Sequence, residues 1–296
     1  MSALTYQQWE ARGSYRLVGK HRLFYYDSGD ATKPALLILH GYPSCSFDYW
    51  RVLPLLEPHF RVIVHDQLGF GLSDKPLDYS YSLIDQADTA LLLWQGQGIR
   101  EGHLLAHDYG TSVATEIIAR RNFGCEPVRL LSATLGNGSM LIHLARLFWS
   151  QRLLKHPWFG PPFARLATRR LFLRNMTRLW SDPRKADRHD LLQLWELLLR
   201  NGGRRVLPAL TRYIDERFRF WHRWIGGLKS TDLHINILWA ADDPIAVVEM
   251  AHHLHRLIPH NSLCILDQLG HYPMLEDPPR WAAHLLDLVR SLNFDN

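Results

Sequence analysis

The residues best placed to do chemistry lie where an apolar run, Leu104-Leu105-Ala106, meets His107-Asp108-Tyr109-Gly110-Thr111. A helical pattern with Val113, Ile117 and Ile118 on one face follows at once. A sharp strand-to-helix turn that lifts one side chain clear of a sheet is a nucleophile elbow. Ala106 and Gly110, two positions either side of Asp108, suit the little space such a turn leaves. A serine at the apex would point to an esterase, but this apex carries an aspartate. A carboxylate acylates poorly, yet it can displace a leaving group at saturated carbon and become an alkyl ester that water must cleave.

Cleaving that ester takes a base, a group that orients the base, and an oxyanion hole. The expected chain order is nucleophile, acid, histidine. His271 lies in Gly270-His271-Tyr272-Pro273, just beyond an apolar strand at 262–266, and that position singles it out from 17 histidines. Asp243 follows the apolar stretch Ile235–Ala240 and suits the orienting carboxylate. Its neighbour Asp242 is the competitor; Pro244 fixes the turn directly after Asp243 and favours the latter. The backbone N–H groups of Tyr109 and of Tyr42, in His40-Gly41-Tyr42-Pro43, would form the oxyanion hole. Otherwise Asp108 would be only a helix-capping carboxylate at a degenerate site.

These residues need a scaffold that brings strand ends together. Strands are expected at 21–28, 35–39, 61–65, 103–106, 130–135, 235–240 and 262–266. Helices are expected at 47–56, 83–93, near 247–257 and from about Pro279. Short apolar strands alternating with helices indicate an α/β fold with a mostly parallel central sheet, whose sites lie at the carboxyl ends of strands. Residues 137–228 break the pattern. They are rich in Arg, Leu, Trp and Phe, lack strand-like alternation, and are interrupted at His156-Pro157, Gly160-Pro161-Pro162 and Asn201-Gly202-Gly203. Four to five helices forming an inserted cap domain are expected there, with 1–136 and 229–296 making the core domain.

The same residues hold an uneven charge. Eighteen Lys and Arg against six Asp and Glu give 137–228 a balance of +12, so the chain's net +5 leaves −7 for the remainder. No nucleic-acid-binding module accompanies the basic block. A solvated face, or attraction to anionic ligands or membranes, explains it better. Arg217, Arg219 and Arg223, interleaved with Phe218, Phe220, Trp221 and Trp224, are the stretch that could form an interfacial surface. No apolar run reaches the roughly 18 residues of a membrane span, and residues 1–8 have neither the basic flank nor the apolar stretch of a signal peptide. Cys45, Cys125 and Cys264 are too few and scattered for a disulfide framework and suit a reducing cytoplasm. Gly69-Phe70-Gly71 lacks the third glycine of a dinucleotide site and is expected to be a turn. His252, His253 and His255, near Glu249, are expected on a solvated helix face rather than around a metal. No cofactor is called for.

The combination His40-Gly41-Tyr42-Pro43, 69–76 (Gly-Phe-Gly-Leu-Ser-Asp-Lys-Pro), Ala106-His107-Asp108-Tyr109-Gly110, Asp243-Pro244 and 270–278 (Gly-His-Tyr-Pro-Met-Leu-Glu-Asp-Pro) resembles the α/β-hydrolase superfamily. Within it, the aspartate apex resembles the epoxide hydrolase and haloalkane dehalogenase branch. That resemblance implies an α/β-hydrolase fold and a cofactor-free hydrolase acting on a small apolar substrate through an Asp108 ester. It also implies a halide cradle in dehalogenases, from a Trp directly after the nucleophile and an Asn or a second Trp elsewhere. Here Tyr109 and Tyr42 stand at two such positions, so an epoxide is the expected substrate. Opening an epoxide takes a proton donor for the nascent alkoxide, and the family's cap tyrosine is matched by Tyr213. Residues 137–212 contain no tyrosine for a second donor, a place His156 could take. The alternatives are a dehalogenase using Trp149 or another Trp of the cap, and a ligand-binding protein without turnover.

Overall fold

The computed structural model describes residues 3–291. A short helix, α1 (Tyr6–Glu10), is capped by Thr5 and leads into an antiparallel hairpin of β1 (Ser14–Val18) and β2 (His21–Asp27). No strand was expected over β1. It is an edge strand that pairs only with β2 and leaves Ser14 to Leu17 exposed, so no apolar run marks it. β3 (Ala35–Leu39) is buried at every position, as its uninterrupted apolar sequence requires. The single helix expected over 47–56 is instead a 3₁₀ turn (Ser46–Tyr49) followed by the one-turn α2 (Leu53–Leu56), which has Pro54 in its first turn. A proline lacks the N–H that would have continued the first turn into the second.

β4 (Arg61–His65), α3 (Leu83–Gly96), β5 (Glu101–His107), α4 (Tyr109–Asn122) and β6 (Arg129–Gly136) complete the first half of the sheet. Between β6 and the next strand the described chain is helical: α5 (Trp149–Lys155), α6 (Gly160–Leu166), α7 (Arg169–Thr177), α8 (Arg188–Leu199), α9 (Leu207–Leu210), α10 (Tyr213–Arg219) and α11 (Trp221–Ser230), with three 3₁₀ turns. These are seven α-helices rather than four to five. The extra breaks fall at Pro183, at Pro208 and at Asn201-Gly202, where both φ angles are positive. β7 (Ile235–Ala240), α12 (Val248–Leu257), β8 (Asn261–Leu266), α13 (Pro273–Glu276) and α14 (Pro278–Ser291) finish the fold.

The eight strands run in the order β1-β2-β4-β3-β5-β6-β7-β8, antiparallel at the first two pairings and parallel at the other five. Strand side chains alternate between faces. Leu37 and Leu39 pack with α3, α4 and α12, through residues such as Trp94, Ile117 and Leu254. Leu36 and Ile38 face the opposite layer, with Leu53 of α2 and Trp281 and Leu285 of α14. The chain turns from β4 on one side of β3 to β5 on the other. The carboxyl ends of β3 and β5 therefore flank a topological switch point, where open α/β sheets place their sites.

Candidate active site

Asp108 sits between the last residue of β5 and the first of α4, with φ 45° and ψ −110°. A non-glycine residue in that region costs about 1–3 kcal/mol and persists only where the surroundings over-determine it. The surroundings here are tight. A Cβ at Gly110 would come within 2.5 Å of the Leu39 carbonyl oxygen, so only glycine lets α4 start directly against the end of β3. A Cβ at Gly41 would lie 3.0 Å from Asp108 Cβ. The loop after β3 thus closes over the aspartate, and the backbone N–H of Tyr42 donates to Asp108 Oδ2 at 2.9 Å. Tyr109 follows as the first residue of α4, so its N–H belongs to the helix end, whose first amides have no partner within the helix.

The other two expected residues meet Asp108 from the ends of later strands. His271, on the loop after β8, places Nδ1 2.6 Å from Asp243 Oδ2 and Nε2 4.0 Å from Asp108 Oδ2. Asp243, after β7, is buried, whereas Asp242 is exposed and does not contact the imidazole. Asp243 Oδ1 accepts from the N–H groups of Ile245 (2.7 Å) and Ala246 (3.0 Å). Its Oδ2 also accepts from Asn137 Nδ2 at 2.8 Å. A carboxylate held by so many donors fixes the imidazole with N–H at Nδ1 and turns Nε2 toward Asp108. Burial pulls the His271 pKa down, but Asp243 by charge and hydrogen bond, together with Asp108, carries it up to about 9.

Four residues that sequence reasoning missed hold this arrangement. Asn137, just past β6 with φ 44°, accepts Ala240 N–H through Oδ1 at 2.9 Å and so ties Asp243 to the strand that bears it. Its signal was its place, one residue past a strand end at the site's edge of the sheet. His107 places Nε2 2.7 Å from the His271 carbonyl oxygen, and burial pushes its pKa well below the usual imidazole range, leaving a neutral ring that donates. Ser44 donates to Asp48 at 2.5 Å and receives the Tyr272 hydroxyl at 3.3 Å, building a buried polar layer beside His271. The His271 N–H bonds the Leu179 carbonyl at 2.7 Å, linking the histidine loop to the helical insertion.

Above Asp108 lies a cavity of ≈ 100 Å³ of water-accessible space. Asp108, His271 and Tyr42 form its floor, while Leu154, Phe163, Leu171, Phe172, Met176 and Trp195 of the insertion make apolar walls. Ser150, Gln151 and Asn175 are its neutral polar groups. Such a chamber admits a small apolar molecule and excludes bulk water from the carboxylate.

Comparison with known proteins assigns the architecture. The family model of the alpha/beta hydrolase fold matches residues 34–278. The chain belongs to the alpha/beta hydrolase family. LipZ of Mycobacterium tuberculosis, whose name assigns it to the hydrolases, is 37% identical over 289 residues, covering 98% of this chain and 99% of its own. The mesoderm-specific transcript homolog protein of Homo sapiens is 34% identical over 292 residues, covering 96% and 87%. Among solved structures, haloalkane dehalogenase DbeA from Bradyrhizobium elkani superposes with a TM-score of 0.82 at 18% identity, over 96% of this chain and 99% of that one. At that identity the likeness concerns the fold.

In this alpha/beta hydrolase the remaining candidates fall in different places. Tyr213, the first residue of α10, is buried, its ring 5.8 Å from that of Tyr42 and 5.2 Å from that of Tyr109. Burial raises the pKa of its hydroxyl, and so does the charge on Asp108; Arg217 and Gln151 oppose them. The Arg217 guanidinium lies 4.5 Å from the Tyr213 ring centroid and donates to Ser112 (2.7 Å) and Ser139 (2.5 Å). Among the described residues no carboxylate lies within ion-pair distance of it. His156 is exposed at the end of α5 and accepts from the N–H groups of Trp158 and Phe159, so it does not reach the cavity. Trp149 is 55% exposed and likewise stands outside it; the tryptophan on the cavity wall is Trp195.

Along 217–224, the stretch that could form an interfacial surface, Phe218 and Arg219 are exposed and Phe220 and Trp221 partly so. Arg217 and Trp224 are buried, and Arg223 pairs with Glu116 at 2.6 Å. The Gly69-Phe70-Gly71 loop is a turn wrapped around Asp66, whose carboxylate accepts from Ser46 N–H (2.8 Å) and Leu72 N–H (2.6 Å). His252 and His255 are exposed on α12, and among the described residues no cluster of three ligands suits a metal. No described helix is long and apolar enough to cross a membrane.

Proposed function

We propose that this hydrolase opens epoxides through a covalent ester on Asp108, with 137–228 acting as the cap over the site. The observation that carries the proposal is the Asp108 carboxylate itself. It is strained at the elbow, held by the Tyr42 amide, and stands 4.0 Å from an imidazole oriented by Asp243, on the floor of an apolar chamber.

In the first step Asp108 Oδ1 attacks an epoxide carbon while Tyr42 holds Oδ2. The C–O bond of the ring breaks and the alkoxide takes a proton from Tyr213. The resulting tyrosinate lies beside the Arg217 guanidinium, a buried cation that favours it. In the second step a water enters between His271 Nε2 and the ester, a gap too wide for a direct hydrogen bond. His271 takes its proton, the hydroxide attacks the ester carbonyl, and the oxyanion forms against the Tyr42 and Tyr109 amides. Collapse breaks the ester C–O bond. The departing alkoxide takes the proton of the added hydroxyl to complete the diol and restore the Asp108 carboxylate, and the proton on His271 returns to the Tyr213 tyrosinate through solvent. Every group required is a side chain, a backbone amide or water.

A dehalogenase is the second reading, favoured by the Trp195 indole on the cavity wall. It suits the site less well, because Tyr109 and not an indole follows the nucleophile. The free thiols Cys45, Cys125 and Cys264 suit action in the cytoplasm. A single turnover with enzyme in excess, run in ¹⁸O water, tests the ester route. The diol should emerge unlabelled while the Asp108 peptide gains the label. A labelled diol with an unlabelled peptide would mean direct attack by water.

A further inference from the structure

The exposed apolar side chains of the helical insertion are concentrated on α5, α6 and the turn between them. Trp158 is 82% exposed, Leu166 76%, Phe159 60% and Trp149 55%, a grouping of large apolar side chains rather than scattered single ones. Phe159, Pro162 and Leu166 recur at the spacing of one helix face, while Gly160 and Ala164 turn inward. Trp149 packs across to α6, its ring 5.6 Å from that of Phe163, which holds the two helices side by side.

Charge identifies what covers it. Residues 137–181 contain eight Lys and Arg and no Asp or Glu. Lys155 is paired with Asp215 of α10. Arg152, Arg165, Arg169 and Arg170 are exposed, and among the described residues none of them enters an ion pair. Exposed aromatic and leucine side chains on helices that also carry unpaired arginines make an interfacial surface: the rings enter the boundary between headgroups and acyl chains, and the cations meet anionic headgroups. A second copy docking through the same face would bring two sets of arginines together, which like-charge repulsion opposes.

We infer that α5, α6 and the turn joining them dock this hydrolase on an anionic phospholipid bilayer. The inner faces of the same two helices, with Gln151, Leu154, Phe163 and Ala167, wall the cavity. A docked molecule therefore presents its chamber toward the acyl region, where an apolar epoxide partitions; this choice of substrate source rests on the epoxide proposal, whereas the docking does not.

The test is co-sedimentation of the full chain with vesicles of phosphatidylcholine alone and of phosphatidylcholine with phosphatidylglycerol at about 7:3, in low and high salt. Partition should be at least about ten-fold stronger into the anionic vesicles and should weaken with salt. The double variant W158A/F159A and the pair R165E/R169E should each lose about ten-fold or more while melting at the parent temperature. Equal partition into both vesicle types, or binding unchanged in both variants, would overturn the inference. So would a patch that proves to join two copies, seen as a dimer that W158A/F159A dissociates with no vesicle binding in the parent. Running the same assay on Asp108→Asn separates the two proposals, because docking should persist whatever chemistry Asp108 performs.

Discussion

Asn137 donates its side-chain amide to Asp243 Oδ2 at 2.8 Å, the same oxygen that meets His271 Nδ1 at 2.6 Å. Its own Oδ1 receives the Ala240 N–H at 2.9 Å. One neutral side chain at the end of β6 thus fixes the carboxylate that sets the direction of the imidazole. Asn137→Gly keeps the positive φ and removes both of these bonds and a third, from the Asn137 amide to the Ala240 carbonyl at 3.2 Å. It should lower stability by about 1–3 kcal/mol, since a buried N–H and a buried carboxylate oxygen each lose a partner. Turnover should fall by about ten-fold or more through misorientation of His271. Urea denaturation and steady-state kinetics on one preparation check the pair of effects.

The raised pKa of His271 makes two pH statements. Its folded value, about 9, exceeds its ordinary value of 6.5. The imidazolium therefore contributes stability that is fully present below about pH 6.5 and is lost as pH rises through about 9. The urea midpoint should fall over that window, and fall less in His271→Gln. During turnover the sign of the effect is useful. Once Asp108 is esterified, one of the negative charges that raise His271 is gone, so the base becomes neutral more readily in the step that needs it. Rapid-quench measurement of ester decay should give a midpoint below 9; a midpoint at or above 9 would contradict that coupling.

Strain at the elbow gives a stability prediction of opposite sign. Asp108→Gly removes a side chain from φ 45° and should stabilise the fold by about 1–3 kcal/mol, less whatever the lost Tyr42 bond contributes. Activity should vanish. Differential scanning calorimetry of the variant against the parent reads the change, and a lower melting temperature would mean that the conformation carries no strain.

Tyr213 separates the two leaving groups. An alkoxide needs a proton and a halide does not. Tyr213→Phe should slow alkylation by an epoxide by about 10²–10⁴-fold and leave alkylation by a haloalkane nearly unchanged. Arg217→Leu should slow epoxide alkylation in the same direction, with Arg217→Lys recovering part of the rate. Stopped-flow or quenched single turnovers measure this. Equal loss with both substrates would assign Tyr213 to packing between Tyr42 and Tyr109.

The parts of this molecule legible in the sequence are those where one local cause dominates. β3 and β7 are buried on both faces and so read as unbroken apolar runs. Asp108 and Asp243 each follow a buried strand and His271 follows the partly buried edge strand β8, and their order along the chain brings them to one edge of the sheet. What escaped depends on contacts between distant segments. β1 is exposed and earns its place through β2 alone. Asn137 looks like any polar residue after a strand until Ala240 and Asp243 are brought beside it. His156 was a reasonable second donor by composition, but the turn it caps points outward, and Gln151, one helical turn earlier, faces the cavity. Arginines and aromatics alternate most densely at 217–224. There the fold buries Arg217 and Trp224 and leaves Phe218 and Arg219 exposed, while Trp158 and Phe159 are exposed in the turn before α6.

The central claim is that Asp108 becomes esterified and that His271 serves only the hydrolysis of that ester. Intact mass spectrometry of His271→Gln, incubated separately with panels of epoxides and haloalkanes, tests it most directly. An epoxide should add its full mass to the protein, with the adduct mapped to Asp108 and persisting because the base is gone. A ligand that binds the cavity while no member of either panel labels Asp108 would contradict it.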